Sequence, residues 1–121
     1  MDFKTAQRIL INGDIGYIYF RNHESYEPYK VYKMGTTTNI FEKNSVYVSR
    51  EIRRGHFIEV FEVNKKKMKI IERLLQHQFK DLNLYTNAGT DFYNKKIINL
   101  IEPYLIKLKI KYKKLAKQQN P

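Results

Sequence analysis

Cysteine is absent from the 121 residues, which removes disulfides, thiolate zinc sites and cysteine nucleophiles and fits an intracellular protein. Tryptophan is absent as well. Proline (3) and glycine (5) are sparse, and no internal repeat or Gly-, Ser- or Pro-rich linker divides the chain, so one continuous domain over residues 1–121 is expected. Long apolar runs are missing too. Met1 to Phe20 is interrupted by Asp2, Lys4, Gln7, Arg8, Asn12 and Asp14, which leaves no clean stretch for a signal peptide or a membrane-spanning helix. The expectation is a soluble protein of the cytoplasm or nucleus with no membrane partner. Acids are scarce. Lys+Arg number 23 against 12 Asp+Glu, a formal charge of +11 and a pI of about 9.8, which biases the chain toward polyanions. After Glu102 come Lys107, Lys109, Lys111, Lys113, Lys114 and Lys117 and no acid. A Lys-, Asn- and Ile-rich composition is also what an AT-rich genome leaves behind.

What is abundant is aromatic: ten Tyr and seven Phe, which pack inside or stack on bases and sugars, uses that composition does not separate. Ile15 to Phe20 alternate as a short aromatic strand after Gly13-Asp14, and Tyr29 to Met34 form a second strand after the polar turn Asn22 to Pro28. A β-hairpin is expected. Asn39 is a suitable N-cap for a helix in which Phe41, Ser45, Val48 and Ile52 share one face. Lys43, Tyr47, Arg50 and Arg54 occupy a different face, a basic stripe that either meets phosphate or is simply solvated. Gly55 ends that helix, His56 to Val63 reads as a central strand, and Asn64 caps a helix carrying Met68, Ile71, Leu75 and Phe79 on one stripe. Leu82 to Thr90 reads as an irregular connection, and Asp91 to Glu102 as a short helix that Pro103 interrupts. From Tyr104 to Gln118, alternation and helical spacing compete; helix is preferred, placing a basic C-terminal helix at about 103–118 after a core at about 13–102. The expected fold class is α+β, a small mixed sheet of about three strands flanked by helices.

Gly16-Tyr17-Ile18-Tyr19, then Tyr32-Lys33-Met34-Gly35, resemble the paired GIY and YIG strands of the GIY-YIG nuclease superfamily, in the branch of bacteriophages and large DNA viruses whose second motif reads Tyr-Lys-Ile-Gly. Glu72-Arg73-Leu74-Leu75 with Phe79 is similar to the family's Glu-bearing helix, and Gly89-Thr90-Asp91-Phe92-Tyr93 to its end motif. The independent order β-β-α-β-α agrees with that core.

The resemblance implies phosphodiester hydrolysis of DNA at one Mg²⁺ or Mn²⁺ held by Glu72, with Tyr19 orienting or deprotonating water. A tyrosine of ordinary pKa, about 10, serves as a base only if its surroundings lower that value. The chain departs from the family at two catalytic positions. The helix Arg expected about eight residues after the YIG glycine falls at Lys43, which lacks the bidentate fork, and the first YIG position is Lys33, whose role Tyr32 on the opposite strand face cannot take. Asp91 also stands where the end motif more often has Glu.

Catalysis requires Glu72, Tyr19 and Lys43 to line one cleft; a Glu72 turned away from Tyr19 leaves a noncatalytic DNA-binding domain. Backbone contacts are expected from Lys43, Tyr47, Arg50, Arg53, Arg54, His77, Lys107, Lys109, Lys111, Lys113 and Lys114. His23, His56 and His77 have no metal-ligand spacing. A third reading is an adaptor or homodimer joined through Leu105, Leu108, Tyr112 and Leu115 of the C-terminal helix.

Overall fold

The computed structural model describes residues 14–50, 55–84 and 91–115. Strand β1 (Ile15–Asn22) starts after Asp14, whose φ of 60° is a left-handed turn conformation that Asp tolerates. Its β-branched and aromatic residues alternate between two covered faces. Gly16, Ile18 and Phe20 point one way, Tyr17, Tyr19 and Arg21 the other. The link to β2 (Val31–Thr37) is more ordered than a plain turn: a 3-10 helix over Glu24–Tyr29 begins where the His23 ring accepts the Ser25 N–H at 3.1 Å and ends at left-handed Lys30. β2 runs antiparallel to β1 with Tyr19 opposite Gly35.

Asn39 caps helix α1 (Ile40–Arg50) as expected, its Oδ1 accepting the Glu42 N–H at 3.0 Å. Strand β3 (His56–Asn64) then pairs antiparallel with the other edge of β1, with a bulge at Phe20/Arg21. Asn64 caps the turn rather than the helix itself: its Oδ1 accepts the Lys66 N–H, and α2 (Met68–Gln78) starts one step later. Gly16 lets α2 approach, since a Cβ there would lie 2.6 Å from the Met68 sulfur.

Beyond α2 the structure departs from the sequence reading. The segment expected as a helix over 91–102 instead opens with strand β4 (Phe92–Asn94), which pairs with β2 over Val31, Tyr32 and Lys33, and continues as a 3-10 turn over Lys95–Asn99. Pro103 does not interrupt a helix. It sits in the first turn of α3 (Ile101–Lys107), where its missing N–H has no intrahelical partner to lose. The basic helix expected over 103–118 stops at Lys107; Lys109 turns left-handed (φ 57°), and Lys113–Lys114 form β5 against β3.

The described residues thus form an α+β fold around one sheet of order β4-β2-β1-β3-β5. It has five strands rather than about three and is wholly antiparallel, not mixed. One face packs Ile18, Phe20, Met34, Phe61 and Val63 beneath α2 and α3, through Ile71, Leu75, Ile101 and Leu105. The other packs Tyr17, Tyr19, Phe57 and Val60 against Ile40 of α1 and Leu115. Among the described residues, no helix is long and apolar enough to cross a membrane.

Candidate functional site

The α1-side face gathers the basic and aromatic residues. Because β-strand side chains alternate, Arg21 lies on the same face as Tyr19, and Lys33 on the same face as Gly35. Helix α1 turns Ile40, Lys43, Asn44 and Tyr47 toward them, so Lys43 and Tyr47, the two described side chains of the basic stripe, face the sheet. Ser45, assigned to the apolar face, is exposed. The inward rotation has a physical reason: Ile40 and the Tyr47 ring pack with Tyr19 and Phe57.

Tyr47 organises the cleft. Its hydroxyl is 2.9 Å from that of Tyr19. The Arg21 guanidinium lies 4.2 Å from the Tyr47 ring centroid and 4.9 Å from that of Phe57, and its Nη1 donates to Asn44 Oδ1 at 3.4 Å. Lys33 Nζ is 5.4 Å and Lys43 Nζ 5.6 Å from the same Tyr47 centroid. Three cations therefore share one aromatic ring, whose negative face attracts each of them. Among the described residues, neither the Lys33 nor the Lys43 ammonium reaches a carboxylate.

Tyr19 is almost fully buried, and its hydroxyl overhangs Gly35 so closely that a Cβ at that position would collide with it. Burial first, then the hydrogen bond to Tyr47, holds the Tyr19 hydroxyl far above the ordinary phenol range; Asp91 adds to this and Arg21 opposes it. Tyr19 can orient a bound group through its O–H but is a poor base. The sequence reading required the opposite shift.

Glu72 does not line this cleft. It sits on α2, over the other sheet face, with its side chain 18% exposed and its carboxylate 3.5 Å from Lys69 Nζ. Lys69 in turn donates to Thr36 Oγ1 at 2.7 Å, so Glu72 stands near β2 at the residue next to Gly35, from the far side. As a metal site it offers one carboxylate beside an ammonium, and among the described residues no group of three or more potential ligands gathers anywhere. Such a donor set fits Mg²⁺ or Mn²⁺ only together with phosphate oxygens, the usual way Mg²⁺ is completed at nucleic-acid sites.

The remaining expected contacts divide. His77 is exposed in the last turn of α2, and Lys107 in the last turn of α3, both on helices over the opposite face from the Tyr47 cleft. Lys109 and Lys111 line a separate groove beside α2. Lys113 pairs in register with Glu62, and Lys114 bonds Glu59 at 2.8 Å and Glu102 at 3.3 Å, an internal structural role. Arg50 closes α1, with its side chain outside the described residues, as are Arg53 and Arg54 altogether.

Sequence reasoning missed Arg21, Asn44 and Phe57. Arg21 was legible, two residues after Tyr19 on a strand and so on its face; Asn44 and Phe57 carry no signal without the tertiary arrangement. Comparison with protein-family models, curated proteins and solved structures finds no match to this chain.

Proposed function

We propose that the protein binds the phosphodiester backbone of DNA in the cleft between α1 and the sheet. The observation that carries this reading is the placement of Arg21, Lys33 and Lys43 around the Tyr47 ring, with neither lysine neutralised by a carboxylate among the described residues. Arg21 is fully buried beneath the Tyr47 ring, so the half-buried Lys33 and Lys43 are the cations a ligand meets; two like charges near one ring repel one another, and a phosphate placed between them relieves that repulsion. The Tyr19 and Tyr47 hydroxyls add hydrogen-bonding groups at the floor. Such contacts favour any sequence equally.

Binding rather than cutting is favoured by three features: a Tyr19 whose proton is held tightly, a lysine at the helix position where the resembling family has Arg, and a Glu72 outside the cleft. A second reading, a metal-dependent endonuclease of GIY-YIG type, is what the motif resemblance implies, and the placement of Glu72 across the sheet from Tyr19 counts against it. Glu72 and the Tyr19 hydroxyl flank β2 from opposite faces at the neighbouring residues Thr36 and Gly35. Held by Glu72 together with a phosphate, Mg²⁺ or Mn²⁺ would polarise that phosphate and favour departure of the alkoxide.

Supercoiled plasmid incubated at low salt with Mg²⁺, Mn²⁺ or EDTA separates the two. Binding alone gives a gel shift that persists in EDTA and in Glu72→Gln, is weakened in Lys33→Gln/Lys43→Gln, and leaves the plasmid intact. Metal-dependent nicking lost in Glu72→Gln and Tyr19→Phe would establish the endonuclease instead. No shift at all, or a shift indifferent to Lys33 and Lys43, would remove the cleft from the function.

A further inference from the structure

A second surface, on the other side of the sheet from the Tyr47 cleft, has a different chemistry. Between α2 and the chain following α3 runs a groove of about 610 Å³, lined by Ile70, Ile71, Leu74, Leu108 and Ile110 and edged by Lys67, Lys109 and Lys111. Ile71 belongs to the core floor, whereas Ile70, Leu74 and Leu108 are 58%, 38% and 41% exposed. Ile70 and Leu74 lie i,i+4 on α2, so they form one aliphatic ridge. The facing wall is held by the chain itself. Lys109 adopts the left-handed conformation that closes α3, the Leu108 N–H bonds Tyr104 O at 3.1 Å, and the Ile110 N–H bonds Leu105 O at 3.0 Å. The exposed leucine is therefore presented by a closed helix end.

We propose that this groove docks a segment of a partner protein that carries aliphatic anchors and acidic residues. The charge argument fixes the occupant: three lysines edge the groove and among the described residues no acid lines it, so an acidic segment is attracted and a like-charged one repelled. A second copy of this +11 chain would bring the same lysines face to face. Nucleic acid would supply the charge but finds no aromatic platform among the described lining residues. A bilayer is flat where this surface is concave. Aliphatic anchors filling a groove with charged residues at its rim is a recurrent mode of peptide recognition.

The test is a selection of short random peptides displayed on phage against the intact protein at physiological ionic strength, with recovered peptides then titrated by fluorescence anisotropy. The expected consensus has two aliphatic residues at helical spacing with Asp or Glu beside them. Affinity should fall by about tenfold or more in Leu74→Glu and in Lys67→Gln/Lys111→Gln. Ile70→Ser, a milder change at a more exposed site, gives the same direction if Leu74→Glu does not fold. Duplex DNA binding should be unchanged in Leu74→Glu. The proposal is overturned if no sequence is enriched, if enriched peptides are basic or neutral, or if their binding ignores these substitutions. Sedimentation with phosphatidylserine vesicles, or duplex binding, that Leu74→Glu abolishes would also overturn it, assigning the groove to lipid or nucleic acid.

Discussion

Tyr47 and Gly35 set the cleft from its two sides, one by what it attracts and the other by what it leaves out. Replacing Tyr47 by Leu keeps an apolar body but removes the ring face shared by Arg21, Lys33 and Lys43; a loss of about 1–2 kcal/mol in urea-induced unfolding is expected, with weaker duplex binding. Gly35→Ala drives a methyl group into the Tyr19 hydroxyl and should destabilise by about 1–3 kcal/mol. Combined with Tyr19→Leu, which vacates that space, the pair should lose at least about 1 kcal/mol less than the sum of the single variants, measurable as a double-mutant cycle. The buried phenols also give the fold an alkaline limit. Burial, reinforced by Glu62, pushes Tyr17 up to about 12, and Tyr19 is raised further in the same direction. The unfolded chain releases these protons first, from about pH 10, so it is the unfolded state that gains as pH rises. Stability is accordingly expected to hold below about pH 10 and to fall between there and about pH 12, read from unfolding midpoints at successive pH values.

Among the elements, β5 contributes more than its two residues suggest. Its Lys114 reaches Glu59, a carboxylate on the α3 side of the sheet whose side chain is only 10% exposed, and the following Leu115 is buried on the opposite face. Lys114→Ala should cost about 2–3 kcal/mol in urea denaturation because it strands that carboxylate, whereas Glu102→Gln, at the exposed end of the same cluster, should cost less than about 1 kcal/mol. The β1–β2 hairpin, α1, β3 and α2 were legible in the sequence because each has a local signal: aromatic alternation, an Asn cap, a continuous apolar run, a helical apolar stripe. β4 and β5 were not, since strands of three and two residues owe their conformation to the partner edge rather than to their own pattern. In the site, Tyr19, Lys33, Lys43 and Glu72 were singled out through the family resemblance of their motifs, and which sheet face the Glu72 helix covers was decided by packing.

At the scale of the whole molecule, the sheet separates two basic surfaces. One has cations on an aromatic ring, the other lysines around an aliphatic floor. If DNA occupies the first, raising salt should weaken it steeply, and Lys33→Gln/Lys43→Gln should lower the slope of log affinity against log salt by about 2, about one for each phosphate contact removed. Lys67→Gln/Lys111→Gln should change that slope far less. The Tyr47 ring also gives the protein a way of reporting its own state. With no tryptophan in the chain, its ultraviolet emission comes from tyrosine alone, and a phenol hydrogen-bonded to its neighbour beneath a guanidinium sits in surroundings unlike those of the exposed Tyr29. A ligand that draws Lys33 or Lys43 away from the ring would alter the brightness of that tyrosine, so occupancy of the cleft could be followed without any label.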